Sequence, residues 1–131
     1  MDLKLSIDFL QPDLATSLPL HRDAPRAARV QVAELYSPSS DLRGAVILLT
    51  SEMVTRAVRQ RGRAPDEAVE LRAWMSSDVA RVELRAGSEL LFRPPEPSGP
   101  HYDHILLDQI ADRWSIDTDQ GLARIWFEID R

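Results

Sequence analysis

The sequence predicts an α+β fold: a two-layer sandwich in which a mixed, mostly antiparallel sheet is covered on one face by three helices. Three observations carry this. Three segments in the second half alternate apolar and polar residues with a period of two: Val69–Met75, Ala80–Ala86 and Ala123–Ile129. Two segments in the first half carry apolar residues at helical spacing. The 131 residues, 44% hydrophobic and 28% charged, suit one globular domain with a core of its own.

At the N-terminus Leu3, Leu5, Ile7 and Phe9 alternate with Lys4, Ser6 and Asp8, which reads as a half-buried strand over residues 2–10, an added edge strand. A second short strand is expected over Ala15–Leu20. Asp23 then caps a helix, with Pro25 in its first turn. Ala24, Ala28, Val32 and Leu35 share one face of that helix, and Ser37-Pro38 should stop it. Ser40 or Asp41 caps the next helix, which runs to about Arg61 with Gly62 just beyond its end. Leu42, Ala45, Val46, Leu49, Met53 and Ala57 form its stripe, and Ile47, Leu48, Val54 and Val58 widen it, so the helix is central and mostly buried.

In the three clear strands, one face is apolar and must be covered by helices. The other interleaves Arg, Glu and Trp, a pattern suited to cross-strand pairs. Residues 87–102 contain the Pro-rich stretch Arg93–Pro100 and read as a lid-like loop. A third helix is expected from about Asp103 to Arg113, with Leu106, Leu107, Ile110 and Trp114 inward. A short strand around Ser115–Asp117 then turns through Asp119-Gln120-Gly121 into the last strand.

Composition excludes several chemistries. Without cysteine there is no disulfide scaffold, thiolate zinc site or thiol nucleophile. Lys4 is the single lysine among 16 basic residues, which leaves little room for Schiff-base catalysis. A net charge of −5 opposes broad binding to nucleic acid. The N-terminus lacks the features of a secretory signal, and the longest apolar run, Ala45–Leu49, is far too short to span a bilayer. A cytoplasmic protein that binds no membrane is therefore expected. Ser76, Ser77 and Ser88 lie in turns with no histidine near them in sequence, so a hydrolase triad finds no support.

Two segments resemble a known family. SEMVTRAVRQRG, from Ser51 to Gly62, resembles the segment SELVTNAVRHG of the anti-sigma-factor serine kinases of the GHKL (Bergerat-fold) ATPase superfamily. DQIADRWSID, from Asp108 to Asp117, followed by LARIWFEID, resembles that family's VDALADRWG and its VWFEL-type last strand. The order of elements agrees over roughly Leu14 to Asp130. The resemblance implies the Bergerat fold, with a nucleotide site between the central helix and the loop before the third helix.

The nucleotide-pocket positions implied by the resemblance are Glu52, Arg56, Ala86, Gly87, His101 and Asp103. Glu52 matches the family glutamate and would be a vestigial catalytic base; the preferred reading is a carboxylate paired with Arg56 or Arg59. Arg56 stands where the family has its magnesium-binding asparagine, and a guanidinium has donors only. Ala86, before Gly87, replaces the aspartate that accepts from the adenine amino group. His101 and Asp103 replace the two glycines that let backbone close around phosphates, and Asp103 adds negative charge there.

The resemblance thus implies a regulatory protein with a degenerate ATP site. Its partner would be a sigma factor or a STAS-type antagonist, and family members often pair, which adds a homodimer. No cofactor is expected. One alternative is an active ATP-dependent protein serine/threonine kinase using Mg-ATP; another is a pocket that takes a different small anionic ligand, favoured by Arg56.

Other features have plainer readings. Arg56, Arg59, Arg61 and Arg63 form either an anion site or, preferably, charge complementation at a helix end. His101, Asp103 and His104 match no strong metal spacing, so no metal is expected. Trp74 and Trp126 are either protein-binding anchors or ordinary cross-strand packing under the N-terminal strand or a dimer mate.

Overall fold

Alternation along the strands separates two chemically different faces, and the helices all lie on one of them. A computed structural model describes residues 11–35, 37, 39–60, 68–88, 91–92 and 104–131. The expected strand at 2–10, Gly62, and His101 and Asp103 lie outside the described residues, as does most of the loop over 87–102. The elements are β1 (Leu14–Pro19), α1 (Ala24–Ala33), α2 (Ser40–Arg59), β2 (Ala68–Met75), β3 (Val79–Ala86), α3 (Ile105–Ile110), β4 (Arg113–Asp119) and β5 (Leu122–Asp130).

The strands form one sheet in the order β1-β2-β3-β5-β4. Every described pairing is antiparallel, which corrects the expected mixed sheet. Leu71, Leu84 and Ile125 fall in register on the face that α2 covers, and Phe127 lies beside them with none of its surface exposed. Leu49, Met53 and Val54 reach this core from α2. Burying each such side chain contributes about 1.5–3 kcal/mol.

Two hairpin turns fix the register. Between β2 and β3, the Ser76 amide donates to the Val79 carbonyl at 3.0 Å, and the Ser76 hydroxyl accepts from the Val79 amide at 3.1 Å. Between β4 and β5, Gln120 and Gly121 both take positive φ, 53° and 81°. This is the two-residue turn whose twist matches that of the strands, and glycine takes its second position at no steric cost.

The helix ends differ from expectation. Asp23 makes no side-chain cap at the start of α1. The turn there is closed by backbone instead, the Ala24 amide donating to the His21 carbonyl at 2.9 Å. α1 stops at Ala33, short of Ser37, because its last bonds tighten to three-residue spacing: Glu34 to Gln31 and Leu35 to Val32. Ser39, rather than Ser40 or Asp41, caps α2, its hydroxyl accepting from the Leu42 amide at 3.1 Å. α3 is a six-residue helix, shorter than the expected Asp103–Arg113. The chain leaves it because β5 captures Asp112. The Asp112 amide donates to the Glu128 carbonyl at 2.9 Å, and its carboxylate accepts from the Asp130 amide at 2.6 Å. Trp114 consequently lies in β4, where it faces the helices, and β4 is longer than the expected Ser115–Asp117.

Replacing Phe127 with Ala should lower the free energy of unfolding in urea by about 3–5 kcal/mol, and Ser39→Ala by about 1 kcal/mol. A loss well below 1 kcal/mol for Phe127→Ala would contradict its central place.

Candidate functional site

The positions implied by the resemblance begin on α2. Glu52 and Arg56 are one helical turn apart, and that spacing brings their side chains together. An Arg56 Nη atom donates to Glu52 Oε1 at 3.4 Å, with the Arg56 side chain 13% exposed and that of Glu52 30%. The expected pairing of Glu52 with Arg56 is therefore what this helix holds. Ala86 ends β3, a strand against which α2 packs. It is buried and lies opposite Ala123, so it brings a methyl group and no acceptor side chain. Gly87 follows it and is exposed. His104, with φ of 68°, leads into α3 and stacks on Trp114 with ring centroids 4.8 Å apart.

What this arrangement can do follows from its donors and acceptors. A guanidinium has five N–H donors and no lone pair to give a cation. Beside Glu52 it occupies the carboxylate oxygen that a cation would need. Among the described residues no three His, Asp or Glu are grouped so as to hold a metal ion. No helix among them is long and apolar enough to cross a membrane.

The second concentration of charge lies on the sheet face away from the helices. Arg81, on β3, is wholly buried. Its guanidinium donates to Glu83 Oε1 at 2.8 Å and to Glu128 Oε2 at 2.8 Å. Glu83, also wholly buried, accepts from Arg85 at 3.3 Å and from Arg124 at 3.2 Å. Arg124 grips both oxygens of Asp117 at 2.8 and 2.9 Å, and Arg113 donates to Glu128 Oε1 at 2.8 Å and to both oxygens of Asp130. Arg85 reaches Asp119 at 2.9 Å. These pairs run across β3, β5 and β4.

Trp74 and Trp126 belong to this same face. They are 4% and 5% exposed. Trp74 packs with Val79. The Trp126 indole N–H donates to Asp117 at 3.2 Å, and the Arg81 guanidinium carbon sits 4.4 Å from its ring centroid. A buried cation over an indole gains from the ring's negative face. The Arg/Glu/Trp alternation identified this face; the depth of its burial has no counterpart in the alternation.

The hydrogen bonds from Arg113 pull the Asp130 carboxyl below the ordinary aspartate range, with the charge of Arg113 adding to them and burial opposing. The same bonds raise the already high pKa of Arg113, as Asp117 does for Arg124.

No protein-family model and no curated protein matches the chain.

Because the folded-state pKa of Asp130 is depressed, its contribution to stability is present above the unfolded value, about 3.9. It is lost as the pH falls through the folded value. In urea unfolding from pH 7 down to pH 2, wild type should be more stable than Asp130→Asn at neutral pH, and the two should converge in acid. A difference independent of pH would contradict the Arg113–Asp130 pairing.

Proposed function

We propose that this chain is a regulatory protein of the anti-sigma-kinase type whose nucleotide site no longer holds Mg-ATP, and that it acts by binding another protein. The observation that carries this reading is the Glu52–Arg56 ion pair at 3.4 Å. It puts a fixed positive charge at the position where the resemblance expects a metal-binding asparagine. A dication at roughly 4 Å from that guanidinium would meet repulsion of about 8 kcal/mol at an effective dielectric constant of 20. Glu52 is already engaged and cannot offset it fully.

Ala86 supports the same reading, since a methyl group accepts nothing from an adenine amino group. With the pocket converted from metal binding to an internal ion pair, what remains to regulate with is surface. The partner is proposed to be a sigma factor or a STAS-type antagonist, on the strength of the resemblance alone.

The test is a thermal-shift or calorimetric titration with Mg-ATP. A ligand at a hundredfold excess over its Kd stabilises by about 2.7 kcal/mol. Wild type should show no magnesium-dependent shift. The combined variant Arg56→Asn, Ala86→Asp, His101→Gly and Asp103→Gly should gain one. A clear magnesium-dependent shift in wild type would favour the active kinase instead and end this reading.

A further inference from the structure

The arginines of this chain divide into two populations. Those on the sheet close on carboxylates: Arg72, Arg81, Arg85, Arg113 and Arg124 each hold at least one. Those on the outer surface of α1 do not. Arg22, in the turn that leads into α1, and Arg26 and Arg29, on the helix, are all exposed, and none of them forms an ion pair with a described residue. Arg29 donates to the Ser51 hydroxyl of α2 at 2.8 Å, a neutral partner that leaves its charge in place. Residues 24–33 contain no carboxylate. Glu34, just past the end of α1, falls roughly 140° round the helix axis from Arg29. A chain whose net charge is −5 thus carries a positive ridge on its helical side.

The ridge is regular. Arg22, Arg26 and Arg29 follow at intervals of four and three residues, so they share one face. The reach of Arg29 to Ser51 sets that face along the groove between α1 and α2. Apolar surface lies beside the charge. Apart from Leu122, the large apolar side chains that the described residues expose are Val30, at 53%, and Leu48, at 44%. Val30 follows Arg29, and Leu48 stands one turn before Ser51, so the two flank the contact between the helices. One turn before Leu48, a Cβ added at Gly44 would meet nothing within 4 Å.

We propose that this outer face of α1 and α2 docks an acidic amphipathic helix of a partner protein. Carboxylates at positions i, i+3 and i+7 of such a helix, running antiparallel to α1, meet Arg29, Arg26 and Arg22 in turn. Apolar residues on the same side of it cover Val30 and Leu48, which gives an apolar centre with a charged rim. A single surface ion pair is worth little, but three arginines in register with three carboxylates fix the orientation of the partner and reject a basic one. Nucleic acid matches the charge but brings only phosphate and sugar to Val30 and Leu48. The proposal deepens the protein-binding reading by giving it a surface and a partner chemistry. The nucleotide-pocket positions are not part of it, since Arg56 falls roughly 140° round α2 from Ser51. The titration with Mg-ATP and the test below therefore fail separately.

The test uses two synthetic helical peptides in fluorescence anisotropy, one with Glu at i, i+3 and i+7 beside leucines, the other with Lys in place of each Glu. Wild type should bind the Glu peptide at least about tenfold more tightly than the Lys peptide, and less tightly as salt rises. The double variant Arg26→Glu, Arg29→Glu should reverse the preference, whereas Arg131→Glu, the same change of charge at the end of β5, should keep it. Gly44→Glu, which has room for its side chain and favours the helix, should weaken the Glu peptide without loss of stability in urea. Val30→Ser combined with Leu48→Ser should weaken both peptides. Equal affinity of wild type for the two peptides, no binding of either, or a preference unchanged in Arg26→Glu, Arg29→Glu would each overturn the proposal. Tighter binding of a single-stranded oligonucleotide of matched charge would overturn it too, and assign the ridge to nucleic acid.

Discussion

The guanidinium of Arg81 is a full charge with no solvent access, and much of the sheet is arranged to satisfy it. Removing an ion from water is costly, and the attraction of a partner repays that cost only with good geometry and further hydrogen bonds. Arg81 finds Glu83 along its own strand and Glu128 on the neighbouring one. Each of those carboxylates is shared with another arginine: Glu83 with Arg85 and Arg124, Glu128 with Arg113. Arg124 and Arg113 then tie β5 to β4 through Asp117 and Glu128. A slip of one residue in any of these strands would turn its charged set toward the apolar face under the helices. The network therefore constrains register more than it adds net stability.

That constraint explains why Arg81, Arg85, Arg113 and Arg124 are arginine rather than lysine. A planar fork with five donors can serve two carboxylates at once, as Arg81 and Arg113 do, and lie flat on an indole, as Arg81 does on Trp126. A lysine ammonium is a point charge and would leave part of this network unmade. The same chemistry recurs on α2, where Arg56 engages Glu52 within the helix. In both places a carboxylate that could serve a cation or a proton transfer is committed to a guanidinium. The proposed loss of Mg-ATP binding is the functional form of that commitment.

Much of the fold was legible in the sequence because its signals are local. The period-two alternation in β2, β3 and β5 needs only the pleat to divide the faces, and the Glu52–Arg56 pair needs only helical spacing. The end of α3 was not legible, since a tertiary capture of Asp112 by β5 sets it. The cap of α2 fell on Ser39 rather than its neighbour Ser40. The burial of Trp74 and Trp126 was one of two readings that the sequence left open. A strand face rich in arginine and glutamate reads as solvated, and the closing of its charges on one another lowers the cost of burying it.

The most direct measurement of this central constraint is a double-mutant cycle on Arg81 and Glu83, with Arg81→Met, Glu83→Gln and the double variant unfolded in urea. Residues sharing a buried network should show a coupling energy of about 1–3 kcal/mol, with the double variant less destabilised than the two single losses together. Losses that add to within about 0.5 kcal/mol would contradict the account, because Arg81 and Glu83 would then be independent.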